Sequence, residues 1–275
     1  MKTKIIGFIG GGNMATSLIS GLISSGHPSA KIWVADIDSD KLQLLRESMA
    51  INTTQDNTEI ISVADVVVLA VKPQMLKTIA KTIAERVSQK QPLLVSIAAG
   101  INQDSLSHWL GEDCAIVRCM PNTPALVQSG ATGLHANNNV STAQRDLAEN
   151  ILRAVGITLW VDDENLMDTV TAVSGSGPAY FLLLMEAMEQ SAMDLGLDMH
   201  AAQLLVQQTA LGAAKIALES SESAQQLRHR VTSPGGTTEQ AIAIFQAGNF
   251  QQLVGSAIKA AYDRSIEMSL QLGEH

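Results

Sequence analysis

The stretch that decides the fold is IIGFIGGGNMATSLISGL, residues 5–22. It passes from an apolar run into three consecutive glycines, Gly10 to Gly12, and then into apolar residues at helical spacing. A glycine-rich turn between a buried strand and a helix is typical of the beginning of a βαβ unit. The rest of the chain is therefore expected to continue by alternating strands and helices.

The following sequence meets this expectation. Apolar runs rich in β-branched residues and lacking alternation predict buried strands at residues 4–10, 31–36, 64–71, 92–100 and 115–120. Helical patterns lie between them at residues 13–25, 39–49, 74–88 and 102–110. Two further strands, near 131–135 and 156–161, flank a helix at about 141–154. The pattern predicts an α/β fold of the Rossmann type, a doubly wound and mainly parallel sheet with helices on both faces.

The character of the chain changes after Val161. From Glu164 to Leu272 there is no convincing strand, only helices rich in Ala, Leu, Met and Gln. Their breaks are predicted at residues 175–178, 196, 220–222, 233–236 and 248. We therefore expect two domains: residues 1–162 bind a dinucleotide, and residues 163–275 form an all-α domain for substrate binding and dimerisation. Apolar residues on more than one helix face favour packing against another subunit.

Composition limits the classes of partner. Hydrophobic residues make up 46% of the chain and charged residues 16%, which favours a large core or an extensive subunit interface. The net charge of −9, with no basic tract, argues against a nucleic-acid partner. No run approaches the ~20 apolar residues needed to span a bilayer, so we expect no membrane partner and a cytoplasmic location. The two cysteines, Cys114 and Cys119, are expected to be reduced and buried, and we expect no metal site.

The glycines match the fingerprint G-x-G-x-x-G/A as Gly10-x-Gly12-x-x-Ala15. Gly10 would allow the tight turn, Gly12 would let a pyrophosphate approach the backbone, and Ala15 would keep the helix close to the strand. The pyrophosphate would lie on the free amides around Asn13 and Met14. The alternative is a glycine-rich turn that binds nothing.

Asp36, at the end of the second strand, is placed to accept a hydrogen bond from a free ribose 2′-hydroxyl. Its carboxylate would repel a 2′-phosphate, and the nearest cation, Lys41, lies inside the next helix. Physical reasoning alone therefore favours NADH over NADPH. A solvated turn aspartate is the alternative.

Two strand-end stretches offer further polar groups. In LAVKPQ, residues 69–74, Lys72 either donates to a ribose, acts as an acid, or merely opens a helix on the surface. In RCMPNTPALVQSG, residues 118–130, Asn122 and Thr123 lie on a proline-stiffened turn that could orient a nicotinamide ring, although structural turns look the same.

Two predicted helix starts lie in the second half. Residues 172–197 place glycines before a helix that begins near Pro178, and VTSPGGTTEQAI, residues 231–242, repeats the arrangement. Free amides at a helix start bind small carboxylates, although each site alone could be a simple cap. Together they suggest an anionic or zwitterionic small substrate facing the cofactor.

On these motifs the chain resembles the pyrroline-5-carboxylate reductase family. The segments GFIGGGNMA, AVKP, RCMPNTP, SGSGPAYF, LGAAK and VTSPGGTTEQAI occur in the family's order and spacing over essentially the whole length. The resemblance implies hydride transfer from NAD(P)H to 1-pyrroline-5-carboxylate, giving L-proline in the last step of proline biosynthesis. It also implies a homodimer interlocked through the helical domain, often within a ring of five dimers.

The resemblance further implies site residues. The dinucleotide would be held by Ile9, Gly10, Gly11, Gly12, Asn13, Met14, Asn57, Ala70, Val71, Lys72, Pro73, Ala98 and Ala99. The position of Asp36 at the end of the second strand adds that residue on physical grounds, not by the resemblance. The substrate would be held by Glu164, Gly235, Gly236, Thr237 and Thr238. Thr238 is the candidate catalytic residue, bonded to the imine nitrogen, and Glu164 could stabilise the cation. Relatives commonly carry Asn-Arg or Ser near Asp36-Ile37, which suits NADPH, so the choice between NADPH and NADH stays open.

Two alternatives remain. A β-hydroxyacid dehydrogenase shares this plan but needs a lysine on the helix after SGSG; that helix has none, and the next lysine is Lys215. A non-catalytic dinucleotide-sensing module would keep the glycine loop but need not keep SPGGTT.

Overall fold

The computed structural model describes residues 3–273, which alternate strands with helices up to Trp160 and then form helices. The strands are β1 (Ile6–Ile9), β2 (Ile32–Ala35), β3 (Asn52–Thr54), β4 (Val66–Leu69), β5 (Leu93–Ser96), β6 (Ile116–Met120), β7 (Gly130–Ala136) and β8 (Gly156–Trp160). The helices are α1 (Asn13–Ser24), α2 (Ser39–Met49), α3 (Asn57–Val63), α4 (Pro73–Lys90), α5 (Gln103–Leu110), α6 (Thr142–Arg153), α7 (Leu166–Val170), α8 (Gly177–Asp194), α9 (Met199–Glu219), α10 (Ala224–Arg230), α11 (Thr237–Ala247) and α12 (Phe250–Gly273). None of the helices between residues 3 and 273 is long and apolar enough to cross a membrane.

The strands form one eight-stranded sheet in the order β3-β2-β1-β4-β5-β6-β7-β8. Every neighbouring pair is parallel except β6 and β7, so the predicted doubly wound, mainly parallel sheet is confirmed. Ile9 at the end of β1 is in register with Ala35 of β2 on one side and Leu69 of β4 on the other. The strand order reverses between β1 and β4, which is where open α/β sheets bind ligands.

The non-alternating strands are explained by two apolar cores, one on each face of the sheet. All four residues of β1, β4 and β5 are buried. Phe8 packs into the core with α1, α2 and α6, whereas its neighbour Ile9 packs into the core with α3, α4 and α5. Successive side chains of a strand point to opposite faces, so a strand covered on both sides needs apolar residues at every position.

Two elements were not predicted from the sequence, β3 and α3. The three residues of β3, Asn52–Thr54, are polar and half-buried, and they pair only with β2 at the sheet edge. The seven residues of α3 are too few to display a helical period, and its visible signal is the cap Asp56, whose side chain accepts from the amide of Thr58. The predicted final pair of strands and the helix between them are confirmed as β7, β8 and α6.

The helix expected to start near Pro178 is confirmed as α8, which begins at Gly177. A π-helical turn, Thr171–Gly175, follows α7 directly, and Ser176 is itself in the right-handed helical region at φ −84°, ψ −22°. The amide of Ser176 donates to the carbonyl of Thr171 at 2.9 Å. The helix start is therefore where the sequence predicts it, but it follows helical backbone, and the amide of Ser176 is not free to bind an anion.

The described chain forms two compact units. One contains the residues up to Ser176 together with the chain from Ala261 onward, and the other is Gly177–Ala260. In the first unit, Ser265 Oγ donates to Asp168 Oδ1 at 2.6 Å, so the end of α12 belongs with α7 and the sheet. The predicted domains, 1–162 and 163–275, differ from these units by α7, the π-helical turn and the last part of α12.

The two cysteines are free and buried, as predicted. Burial raises the pKa of the Cys119 thiol, and burial followed by the charges of Asp113 and Glu112 raises that of Cys114. Both thiols are therefore protonated at neutral pH and behave as small core residues.

Gly156, at the start of β8, provides a test of the sheet packing. Its φ is +150°, and a Cβ there would overlap the backbone of Gly130 on β7. We expect Gly156→Ala to lower the free energy of unfolding by about 3 kcal/mol, through strain and overpacking together. Gly26→Ala is the matched control: φ is +90° but nothing lies within 4 Å of a Cβ, so strain alone should cost ~1 kcal/mol. Equal losses in urea unfolding of the two variants would contradict the packing argument.

Candidate functional site

The glycine turn after β1 has the backbone that the fingerprint requires. Gly10 has φ +100°, and a Cβ there would lie 2.6 Å from the carbonyl oxygen of Ala70. Its amide donates to the carbonyl of Ala35 at 2.7 Å, which joins the ends of β1 and β2. At Gly12, by contrast, nothing lies within 4 Å of a Cβ position. The turn therefore needs glycine at Gly10 for its own geometry, while Gly12 leaves an open space over the backbone.

The start of α1 offers backbone donors that have no partner among residues 3–273. Gly12 is the N-cap without a side-chain bond, and the first helical hydrogen bond runs from Thr16 N to Gly12 O at 2.9 Å. The amides of Asn13, Met14 and Ala15 thus begin the helix, and its first turn carries no acidic residue. Such amides, at the positive end of the helix dipole, suit a phosphate group.

Asp36 lies directly after β2 and is held firmly. Its Oδ2 accepts from the amide of Gly11 at 2.8 Å and from Lys41 Nζ at 2.9 Å, and its Oδ1 accepts from the amide of Asp38 at 3.1 Å. Burial raises the pKa of Asp36, but the hydrogen bonds from Lys41, Gly11 and Asp38 outweigh burial and bring the pKa below its usual value. An ionised carboxylate has about four acceptor positions, so these three donors leave room for a further one. With 11% of its side chain exposed, Asp36 is no solvated turn residue.

These groups surround a cleft of about 350 Å³ at the carboxyl edge of the sheet. Of the residues predicted to hold a dinucleotide, the cleft is lined by Ile9, Gly10, Gly12, Asp36, Asn57, Ala70, Val71 and Lys72. Residues not predicted there are Ala35, Ile37, Asp38, Lys41, Met75 and Ile79. Gly11, Asn13 and Pro73 adjoin lining residues in the chain, and Met14 follows Asn13. Ala98 and Ala99 follow β5, the next strand along the sheet from β4. Lys72 is exposed and caps α4 without a side-chain bond.

Glu164 lies in the same unit and is paired with a buried cation. Its Oε1 accepts from Arg118 Nη1 at 2.8 Å and from the amide of Gln103 at 2.8 Å. Neither Arg118 nor Gln103 was assigned a role from the sequence. The available signal was an arginine within the apolar run of a buried strand, since arginine is almost never fully buried without a partner.

The proline-bracketed turn after β6 has a structural role at Asn122. This side chain is 9% exposed. Its Nδ2 donates to the carbonyl of Ser174 at 3.0 Å, and its Oδ1 accepts from the amide of Ala131 at 2.9 Å. The amide group is therefore used to tie the turn to the π-helical turn and to β7. Of the two interpretations of the sequence, the structural one describes Asn122.

The second candidate site is the start of α11 in the helical unit. Gly236 is the N-cap and Gly235 has φ +74°. The amide of Gly235 donates to Glu239 Oε2 at 2.7 Å, and the amide of Gly236 donates to the carbonyl of Ser233 at 3.0 Å. Glu239, at the third helical position, thus reaches back to the turn as the acid of a capping box does. The amides of Gly235 and Gly236, two of the residues predicted to hold the substrate, are therefore both occupied.

The free donors of this site come next in the chain. The first helical hydrogen bond runs from Gln240 N to Gly236 O at 3.4 Å. The amides of Thr237, Thr238 and Glu239 donate to no other residue in the part of the chain that the structure describes. The turn is exposed, and the side chain of Thr238 is half-buried. An anion would therefore meet the amides of residues 237–239.

The helical unit exposes much apolar surface. Within Gly177–Ala260 only Gly177, Ala202 and Val206 are buried. Its exposed large apolar residues include Phe181, Leu182, Leu183, Leu195, Leu204, Leu205, Leu211, Leu218, Ile244 and Leu253. A surface of this kind is typical of a subunit interface.

Comparisons with known proteins find matching family models in both halves of the chain. The family model "Pyrroline-5-carboxylate reductase dimerisation" matches residues 164–268, and "NADP oxidoreductase coenzyme F420-dependent" matches residues 5–100. The chain is 52% identical to a pyrroline-5-carboxylate reductase of Pseudomonas aeruginosa over 274 residues, covering 100% of both chains. A pyrroline-5-carboxylate reductase structure from Coxiella burnetii has TM-score 0.94 and 47% identity, covering 98% of this chain and 99% of that one. A Plasmodium falciparum pyrroline carboxylate reductase with NADP bound has TM-score 0.86 and 30% identity, with the same coverage.

Gly12 allows the cleft to be tested without disturbing the fold. Because nothing lies within 4 Å of its Cβ position, we expect Gly12→Ala to fold normally. The added methyl group would occupy the space above the turn and weaken binding of NADH and NADPH tenfold or more, ~1.4 kcal/mol. Fluorescence titration measures this, with Gly26→Ala as a control that also has open space but lies after the other end of α1. Parental affinity in Gly12→Ala would show that the pyrophosphate binds elsewhere.

Proposed function

The chain belongs to the pyrroline-5-carboxylate reductase family, and from this we propose how its residues divide the work of the reaction. The enzyme reduces the cyclic imine 1-pyrroline-5-carboxylate to L-proline with a nicotinamide dinucleotide, in the last step of proline biosynthesis. The observation that carries this function is 52% identity to a pyrroline-5-carboxylate reductase over the full length of both chains.

For the dinucleotide, the proposal rests on the cleft at the carboxyl edge of the sheet. The bound group supplies the hydride from its reduced nicotinamide ring. The amides of Asn13 and Met14 bind the pyrophosphate over Gly12, and Asp36 accepts a hydrogen bond from the ribose. The open space at Gly12 and the remaining acceptor position of Asp36 fit these roles. Asn57, Ala70–Pro73, Ala98 and Ala99 complete the proposed set.

For the substrate, the proposal rests on the start of α11. The carboxylate binds the free amides of residues 237–239, on the turn formed by Gly235 and Gly236. The hydroxyl of Thr238 hydrogen-bonds to the imine nitrogen. A threonine hydroxyl is too weak an acid to protonate an imine by itself, so the main role of Thr238 is to orient the ring. Either Thr238 relays a proton from water to the nitrogen, or the imine binds already protonated and needs no further proton. Glu164 favours the cationic, protonated imine.

A hydroxyacid dehydrogenase remains the alternative to test against, although α8 contains no lysine to serve as the base for alcohol oxidation. NAD(P)H oxidation with pyrroline-5-carboxylate, run beside NAD(P)⁺ reduction with 3-hydroxy acids, separates the two activities. Binding of the dinucleotide without either activity would instead identify a sensing module.

Of the two dinucleotides, NADH and NADPH, we propose that this enzyme prefers NADH. Asp36 is ionised and accepts from Lys41 at 2.9 Å, so a 2′-phosphate would meet a carboxylate whose nearest cation is already engaged. A free 2′-hydroxyl can donate to the remaining acceptor position of Asp36. The match to an NADP oxidoreductase family and the NADP-bound relative support the opposite preference. The ratio of kcat/KM values for NADH and NADPH decides between the two preferences.

For the assembly, we propose a homodimer through the helical unit, whose exposed leucines would be covered by a second copy. The family description of residues 164–268 as a dimerisation region supports this. A ring of five such dimers and a cytoplasmic location remain predictions from the sequence.

Thr238 provides the test of the catalytic proposal. We expect Thr238→Ala to lower kcat tenfold to a thousandfold, about 1.4 to 4 kcal/mol at ~1.36 kcal/mol per decade, because the imine nitrogen loses its hydrogen-bond partner. Thr238→Ser retains the hydroxyl and should keep most of the rate. Unchanged kcat in the alanine variant would remove Thr238 from the mechanism.

Asp36 and Lys41 together provide the test of dinucleotide preference. We expect Asp36→Ser to shift the ratio of kcat/KM values about tenfold toward NADPH, or ~1.4 kcal/mol, because the repulsive charge is lost and Lys41 is released to bind the 2′-phosphate. Adding Lys41→Gln should abolish most of this gain. No shift in Asp36→Ser would mean that its carboxylate does not read the ribose.

A further inference from the structure

Arg118 is a charged side chain in the middle of the sheet. It lies on β6 between Ser96 of β5 and His135 of β7, and its side chain is 6% exposed. Burying a charge is costly unless the charge is paired and hydrogen-bonded. Its ion-pair partner is Glu164, through Nη1 and Oε1 at 2.8 Å. A partly buried pair between residues 46 positions apart suggests a role beyond general stability, since ion pairs removed from water rarely add stability over apolar residues of the same volume.

The second donor to Glu164 is also immobilised. It is the amide of Gln103, the first residue of α5. The side-chain Nε2 of Gln103 donates to the carbonyls of Ile116 and His135, both at 3.0 Å. This leaves its Oε1 as the acceptor in the 2.9 Å contact with His135 Nδ1. The start of α5 is thus tied to β6 and β7.

The two donors meet on one oxygen of the carboxylate. Oε1 of Glu164 accepts from both Arg118 and Gln103. Oε2 accepts no hydrogen bond from residues 3–273 of the same chain, and 22% of the side chain is exposed. A carboxylate held by one oxygen and open at the other is a preorganised acceptor for a cation.

We propose that Arg118 is a positioning residue for imine reduction. Together with the amide of Gln103 it holds the carboxylate of Glu164 in one orientation, so that Oε2 is available to the protonated imine. The inference rests on the proposed function, which assigns Glu164 to the reactants. Because a guanidinium stays charged and its planar fork fixes a carboxylate in direction, lysine is an incomplete substitute.

The test begins with Arg118→Met. We expect kcat for pyrroline-5-carboxylate to fall about a hundredfold, the effect of misplacing a reacting group by ~1 Å, while the Kd of the dinucleotide stays within twofold of the parental value. Arg118→Lys should fall between the parent and the methionine variant. Arg153→Met is the matched control, because it breaks an exposed pair with Glu149 and should leave kcat unchanged.

Glu164→Gln separates the two proposals. It should lower kcat to a similar degree, and Arg118→Met should cause little further loss in its presence, because both act through one carboxylate. Parental kcat in Glu164→Gln would overturn the role of Glu164, and the inference with it. An impaired Glu164→Gln beside a fully active Arg118→Met would overturn only the inference.

If Arg118→Met does not fold, Arg118→Lys tests the positioning role instead. Thermal unfolding of both variants shows whether this is so. A loss confined to kcat for the imine, with parental dinucleotide affinity, would support a positioning role. Parental kcat in a folded Arg118→Lys variant would overturn it.

Discussion

The structure depends on one backbone position, Gly10. Its φ of +100° turns the chain out of the central strand β1, and the carbonyl of Ala70 fills the place where any side chain would begin. The turn brings the ends of β1, β2 and β4 together, because the amide of Gly10 bonds to Ala35 and the following amide bonds to Asp36. The geometry that closes the centre of the sheet therefore also directs the first amides of α1 toward the cleft. Fold and binding site share one steric constraint.

Most of the fold could be predicted because its strands and helices correspond to contiguous runs of residues with a clear hydrophobic pattern. Strands covered on both faces must be apolar at every position, and β1, β4 and β5 show this directly. β3 and α3 could not be found in the same way, since a short polar edge strand and a seven-residue helix have too little hydrophobic pattern. The continuity of backbone from α7 into the π-helical turn was also hidden, because glycines and serines before a proline are equally typical of a helix start.

In the candidate sites, too, features formed by adjacent residues could be predicted, whereas contacts between distant residues could not. The glycine turn could be predicted because strand, turn and helix are adjacent in the chain. Contacts between distant residues could not: Asn122 meets Ser174, and Arg118 meets Glu164, across 52 and 46 positions. At the start of α11 the glycines were recognised, but the sequence does not show that Glu239 turns back to occupy the amide of Gly235. The sequence pattern thus locates a turn rich in backbone amides, and the tertiary structure determines which of these amides are free.

The end of α12 has a consequence for how the protein is made. Ser265 bonds to Asp168, and Met268 and Leu272 lie against Gly100 in the loop that follows β5. A nascent chain leaves the ribosome from its N-terminus at about 5–20 residues per second. The loop after β5 therefore waits for the whole helical segment, Gly177–Ala260, to be translated before its packing partners emerge. A ribosome stalled within that segment holds a nearly finished sheet whose carboxyl edge still lacks part of its support.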